Sequence, residues 1–180
     1  MKGVQNGNKV FGAAILLDEA EWPLVVARSN DETTSTLLHG EVNCLLAYCS
    51  MVNGAMDKPS PKPHECIFLS THEPCCMCIS SIVWSGFTRV YYLFGYETTK
   101  EQGIPHDINI MHELWGVPSY RRRNQFLSTA SIPHMVEAMS DDDPDKHLFQ
   151  KKIDVLTAKY KELADLYHTT KPESSTIVFD

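Results

Sequence analysis

Two short motifs supply residue types that can bind a metal ion. Cys75 and Cys78 stand three positions apart, and His39 lies upstream, two residues before Glu41. Two thiolates and one imidazole make three ligands, and a zinc site with three protein ligands keeps its fourth position open, as catalytic zinc sites do. Glu41 is a carboxylate placed to exchange protons beside such a site. The spacing therefore predicts one catalytic Zn²⁺ per chain, held by His39, Cys75 and Cys78, with Glu41 as the catalytic acid and base.

Both motifs fall at the start of predicted helices. Apolar residues recur at spacings of three and four over 39–53, which predicts an amphipathic helix that begins at His39. Pro74 is typical of the first turn of a helix and predicts a second one over 75–84. Because both helices begin at the motifs, we expect their positive ends to face the metal and to favour ionised thiolates.

The elements around these helices are predicted from apolar runs and from turn residues. The block 65–96 has the order strand, helix, strand, which favours parallel pairing of its two strands through a right-handed crossover. A stripe of apolar residues at spacings of four and three predicts a long final helix over about 144–169, and packing on the domain's own sheet is favoured over a coiled-coil partner. Strands are predicted over 11–18, 24–28, 65–71 and 87–96, short helices over 106–115 and 132–140, and loops or irregular segments over 1–10, 55–64, 98–105, 116–131 and 171–180.

Composition indicates an ordinary globular chain. The 180 residues are 43% hydrophobic and 22% charged, which predicts a single domain over 1–180 with a core at about 11–115 and a C-terminal extension over 116–180. The net charge of −7 argues against a protein whose main partner is a polyanion. Neither a membrane-spanning run nor a secretion leader is present in the sequence, so the six cysteines are expected to be thiols or metal ligands in the cytoplasm.

The order of elements and motifs resembles the cytidine deaminase superfamily, which carries H-x-E followed by P-C-x-x-C. The run E-P-C-C-M-C at 73–78 looks most like the guanine deaminase and tRNA-adenosine deaminase branch, and H-G-E at 39–41 is similar to yeast-type cytosine deaminases. The resemblance covers about 11–115. It implies a three-layer α/β/α fold with a mixed central sheet, helices on both faces and a long C-terminal helix.

The resemblance also implies a reaction, the hydrolytic removal of an amino group from a nucleobase, nucleoside or related heterocycle. Zinc lowers the pKa of its bound water toward about 7 and so provides hydroxide near neutral pH. Glu41 is expected to take a proton from this water, to pass it to a ring nitrogen, and later to protonate the departing ammonia.

Other interpretations of the cysteines are possible. Cys75 and Cys78 could form a redox pair or half of a structural zinc site, but the sequence has no second C-x-x-C, and the strand followed by Pro74 favours the catalytic site. Cys76 is expected to turn away from the metal. The other three cysteines are expected to be small buried apolar groups: Cys44, Cys49 and Cys66.

Two residues are candidates for binding the substrate. Asn30, at the end of the second strand, resembles the substrate-binding Asn of the purine-deaminating branch, and a turn-forming Asn is an equal alternative. Asp107 resembles an aspartate that contacts the ring in guanine and cytosine deaminases, and a helix cap is at least as strong an alternative. Candidates for a stacking wall are Phe11, Trp84, Trp115, Tyr120 and Phe126, although Trp84 shares helical spacing with Ile79 and Ile82 and is expected in the core.

Three classes of function follow. The first is a small-molecule deaminase whose ring substrate the sequence does not specify. The second is a tRNA-adenosine editing deaminase, and residues 121–123 are the only basic cluster in the sequence that supports it. The third is the non-catalytic partner subunit of such an enzyme, and the intact Glu41 argues against it. The resemblance further implies a homodimer or a higher homo-oligomer. We expect no membrane partner, and the acidic charge disfavours nucleic acid.

Overall fold

The structure, a computed structural model, describes residues 2–53 and 61–170. The predicted tail at 171–180 lies outside the described residues, as does most of the predicted loop at 55–64. The helices are α1 (Lys2–Gln5), α2 (Gly40–Asn53), α3 (Cys76–Trp84), α4 (Tyr96–Glu101), α5 (His106–Trp115), α6 (Ile132–Glu137) and α7 (Lys146–Thr170), and a short 3₁₀ turn spans Pro63–Glu65. The strands are β1 (Gly12–Leu17), β2 (Leu24–Ser29), β3 (Cys66–His72), β4 (Arg89–Phe94) and β5 (Ser128–Ser131).

The five strands form one mixed sheet in the order β2-β1-β3-β4-β5. β1 runs antiparallel to β2 and to β3, whereas β3, β4 and β5 run parallel to one another. The parallel pairing expected for the block 65–96 is confirmed, with Phe68 opposite Val90. A parallel pair needs a long crossover connection, and α3 supplies it between β3 and β4.

The main core lies between the sheet and helices α2 and α3. Its fully buried side chains include Ile15 of β1, Phe68 of β3 and Ile82 of α3, and Phe87 packs its ring edge against the ring of Phe68. Strand residues alternate between the two faces, so every second residue of β1, β3 and β4 points into this core. The two helices that carry the metal-binding motifs are therefore held on one rigid layer.

Helix α7 packs against α1 and α6 and covers part of the opposite side of the molecule. Its second half is well packed, because Tyr167 joins a buried cluster with Val4, Val10 and Phe11. Its first half is less covered, and Phe149 is 38% exposed. The stripe of apolar residues predicted for this helix is thus buried mainly toward its C-terminal end.

Three segments differ from the prediction. Residues 2–5 form α1 where a loop is predicted, because Val4 packs against the far end of the chain. Residues 96–101 form α4, and residues 128–131 form the edge strand β5, which pairs with β4. Each of these short elements depends on distant contacts that a local sequence pattern does not reveal.

Trp84 is 90% exposed, so its expected place in the core is wrong. The helical geometry of α3 explains this, because Trp84 follows Ile82 by two positions and so lies on nearly the opposite face. Ile79 and Ile82 are both buried, as expected for the face of α3 that packs on the sheet. Within the described part of the chain, no helix combines the length and apolar character that a membrane span requires.

Candidate metal centre

His39, Cys75 and Cys78 come together at the N-terminal ends of α2 and α3. His39 immediately precedes α2, Cys75 is the N-cap residue of α3, and Cys78 lies in the first turn of that helix. The Nδ1 atom of His39 is 3.7 Å from the Sγ atom of Cys75 and 3.6 Å from that of Cys78. The candidate ligand atoms all lie within 4.8 Å of one another.

These separations fit a tetrahedral zinc ion. With Zn–S bonds near 2.3 Å and Zn–N bonds of about 2.0–2.1 Å, a tetrahedral ion holds its nitrogen and sulfur ligands about 3.5–3.6 Å apart. The donor set of one imidazole and two thiols is one that zinc prefers. Both thiols are buried, and the side chain of His39 is 19% exposed. The residues therefore fit zinc by chemistry and by geometry.

In the metal-free protein, burial and the interactions among His39, Cys75 and Cys78 shift the pKa values of all three side chains. Burial acts to lower the pKa of His39, but hydrogen bonding and charge attraction from Cys75 outweigh it and raise that pKa to about 9. A hydrogen bond from Cys78 and the neighbouring His39 hold the pKa of Cys75 well below its usual range. Burial raises the pKa of the Cys78 thiol. One thiolate beside an imidazolium is thus favoured before metal binds.

Glu41 lies in the first turn of α2 and is 4% exposed. The hydroxyl of Ser70, on β3, donates a hydrogen bond of 2.9 Å to its Oε1 atom. Burial raises the pKa of Glu41, and the nearby Cys75 thiolate raises it further. A raised pKa makes a carboxyl group a better proton acceptor, which suits a group that must take up and pass on a proton.

A cavity of about 400 Å³ lies beside the metal ligands. This size falls within the range of small-molecule sites, about 300–1,000 Å³. Phe11 supplies an aromatic wall, as predicted for one of the stacking candidates, whereas Trp84, Trp115 and Phe126 are exposed on the surface. The residues that line the cavity include Lys9, Phe11, Glu32, His39, Cys75, Met77, Ile104 and Asp107.

The two predicted substrate-binding residues occupy different positions. Asp107, in the first turn of α5, lines the cavity, and its removal from water raises its pKa to about 8. Asn30 is buried, and both ends of its amide have partners within the protein. Its Nδ2 atom donates to Glu32, and its Oδ1 atom accepts the backbone N–H of Gly40 at 2.6 Å. Its substrate-binding role stays a prediction.

Two ion pairs near the site escape sequence analysis. Lys9 and Glu32 pair at 3.1 Å, with side chains 8% and 2% exposed. Arg122 forms two hydrogen bonds of 2.8 and 3.0 Å to Glu73, a fully buried carboxylate at the start of the metal-binding segment. Only tertiary structure brings these partners together, and their sole local signal is a charged residue near a motif.

A sequence model of the cytidine and deoxycytidylate deaminase zinc-binding region matches residues 2–94, just over half of the chain. The chain belongs to this family. As a member of this zinc-dependent deaminase family, the protein is a hydrolase that acts on a carbon–nitrogen bond, and its expected cofactor, zinc, is confirmed. The expected α/β deaminase fold is confirmed as well.

Individual relatives of this deaminase include guanine deaminases. The chain is 27% identical over 127 residues to a guanine deaminase of Bacillus subtilis strain 168, which covers 69% of this chain and 74% of the relative. A solved guanine deaminase of Nitrosomonas europaea aligns over 89% of this chain and 78% of its own, with a TM-score of 0.53 and 14% identity. The structural likeness, at that identity, concerns the fold alone.

Proposed function

We propose that this deaminase converts the amino group of a free nucleobase into a ring carbonyl and releases ammonia, with guanine as the first candidate substrate. The observation that carries the proposal is the juxtaposition of the three metal ligands with buried Glu41 at a cavity lined by Asp107. The guanine deaminase of B. subtilis, 27% identical over most of its length, supports the choice of guanine.

The chain's own residues have distinct tasks in this reaction. Zinc, when bound by His39, Cys75 and Cys78, supplies Lewis-acid activation of water near neutral pH. Glu41 receives a proton, delivers it to a ring nitrogen of the base, and later transfers a second proton to the departing amino group. The overall reaction consumes one water molecule, replaces the amino group by oxygen and yields ammonia.

Other side chains orient Glu41 and the substrate. The hydrogen bond from Ser70 holds the Glu41 carboxyl group in one orientation, which keeps it aimed at the cavity. Asp107 presents a carboxyl group in the cavity wall, and with its raised pKa it can donate or accept a hydrogen bond at the edge of a base. Phe11 offers a surface on which a flat ring can stack.

The tRNA-editing alternative finds less support. Of the basic run at 121–123, Arg122 is engaged with buried Glu73, so its charge is already paired. The net charge of −7 further disfavours a polyanionic substrate.

A panel of substrates tests the proposal. We expect zinc-loaded protein to release ammonia from guanine faster than from cytosine or adenine, and faster than from the corresponding nucleosides. A parallel reaction with tRNA is analysed for inosine, and we expect none. Ammonia release from nucleosides alone, or inosine formation in tRNA, contradicts the free-base assignment. Inactivity of the zinc-loaded protein on every substrate instead supports the non-catalytic partner.

A further inference from the structure

Glu32 is a buried carboxylate of the cavity lining that the proposed mechanism does not use, and it lies at the centre of a polar cluster beside His39. Its Oε1 atom receives the ammonium group of Lys9 at 3.1 Å, and its Oε2 atom receives Nδ2 of Asn30 at 2.8 Å. The backbone N–H of Lys9 also donates to Oε2, at 3.4 Å. A buried carboxylate is costly unless it is paired, and these donors hold this one in a single position.

The carboxylate faces the ring nitrogen of His39 that points away from the sulfurs. Nε2 of His39 is 3.7 Å from Oε1 of Glu32, whereas Nδ1 is the atom near Cys75 and Cys78. At 3.7 Å the contact is longer than a hydrogen bond and is electrostatic. A negative charge at this place repels a lone pair on Nε2 and favours a proton there, which leaves the Nδ1 lone pair for the metal.

Asn30 connects the same cluster to the backbone that carries His39. Its Nδ2 atom donates to Glu32, and its Oδ1 atom accepts the N–H of Gly40, the residue after His39. The side chain of Asn30 is buried, so this bridge is shielded from water. The cluster therefore acts on the imidazole ring and on the adjoining backbone together.

From these contacts we infer that Glu32 is a positioning residue for the metal ligand His39, with Lys9 as its counter-ion and Asn30 as its link to helix α2. The inference rests on the proposed zinc site, because orientation of His39 matters only if that side chain binds the metal. Through Lys9, the inference also gives the N-terminal segment of the chain a role at the metal site. The role is exerted through His39 and requires no contact between Glu32 and the substrate.

Zinc affinity and a metal spectrum separate positioning from a purely structural role. Glu32→Gln preserves the size of the side chain and removes its charge. We expect the zinc Kd, measured by competition with a chromophoric chelator, to rise about 10-fold or more. We also expect the absorption bands of Co²⁺ bound in place of zinc to shift. The matched control is Asp18→Asn, which removes a carboxylate paired with Arg89, and its Kd should stay within about twofold of the unaltered protein.

A second variant controls for folding. Glu32→Gln leaves the Lys9 ammonium buried without its carboxylate, whereas Lys9→Met/Glu32→Gln removes both charges and should keep the metal-free Tm near its original value. Unchanged zinc affinity and an unchanged Co²⁺ spectrum in the double variant overturn the inference, even if KM for the substrate rises. Zinc retained at full affinity by His39→Ala overturns the zinc site itself, a separate result.

Discussion

The Cα atom of Gly12 lies 2.8 Å from the point where a Cβ atom on Gly40 would stand. The backbone N and C atoms of Gly12 are 3.0 and 3.1 Å from the same point. Strand β1 and helix α2 thus meet backbone to backbone at their first residues, directly after His39. The close approach explains why this chain carries glycine between the ligand His39 and Glu41.

Gly40→Ala should destabilise the protein. The added methyl group meets rigid backbone at a distance that real Cβ atoms do not tolerate, so α2 must shift, at a cost of about 1–3 kcal/mol in the free energy of unfolding. Urea denaturation measures the loss. The control is Gly12→Ala, whose Cβ meets its nearest atom, the backbone oxygen of Arg28, at 3.4 Å. Equal stability of the two variants would contradict this explanation.

Removal of Arg122 should leave a buried charge without a partner. Glu73 is fully buried and Arg122 is half exposed, so Arg122→Met is expected to cost about 2–3 kcal/mol, below the range for a fully buried pair. Thermal unfolding measures this cost. Arg121→Met, at the exposed neighbouring position, serves as the control. Adding Glu73→Gln to Arg122→Met should restore much of the stability, and a further loss would argue against the buried charge as the cause.

Acid should destabilise the fold through His72. This side chain is 2% exposed, and its burial lowers its pKa to about 4 from the usual value of 6.5 for histidine. The unfolded chain therefore binds the proton more readily, so the stability from neutral His72 is present above pH 6.5 and is lost as pH falls toward 4. The full loss amounts to about 3 kcal/mol.

Urea titrations from pH 4 to 7.5 test this dependence. Since other groups titrate in both proteins, the difference between the unaltered protein and His72→Gln isolates the contribution of His72. We expect the variant to have a shallower loss of stability between pH 6.5 and 4. Parallel curves across that window would show that His72 does not titrate as its burial implies.

Glu41→Gln should keep zinc and abolish turnover. The amide retains the size of the carboxyl group and its contact with Ser70 but moves no proton, so we expect kcat to fall at least about 100-fold. Zinc content is measured by metal analysis and turnover by ammonia release. The exposed carboxylate at the end of α4 provides the control, Glu101→Gln. A fully active Glu41→Gln variant would exclude the proposed proton transfer.

The cysteine pair should account for metal binding. Cys75→Ala/Cys78→Ala removes two of the three candidate ligands, and purified protein is expected to contain no zinc. Cys76→Ala, between the two ligands, is the matched control and should keep about one zinc per chain. Zinc retained in the double variant would mean that the ion is held elsewhere.

The chemistry of the site is readable from sequence because it depends on local spacing. His39 and Glu41 belong to one motif and Cys75 and Cys78 to another. Each motif opens a predicted helix, the first indicated by its apolar spacing and the second by Pro74. Parallel pairing across α3 then limits where the two motifs can meet. Strong local signals and a right-handed crossover connection between parallel strands thus predict the metal centre and the sheet around it.

The parts that escape prediction depend on long-range partners. β5 is four residues long, and it is a strand because β4 lies beside it. Lys9 and Glu32 are separated by 23 residues, and neither residue type nor spacing indicates that both are buried. Trp84 shows the converse error, in which a large apolar residue near a core face is exposed. The burial of individual charged residues and the formation of edge strands both depend on the assembled fold.

The pairing of Glu73 with Arg122 also bears on the order in which the protein is made. A ribosome adds Arg122 49 residues after Glu73, so both metal-binding motifs are synthesised before the counter-charge exists. Burial of an ionised carboxylate without a partner is costly, so we expect ionised Glu73 to be buried only after Arg122 has been translated. We therefore expect the nascent chain to close around β4 and β5 after the zinc-binding half has been synthesised.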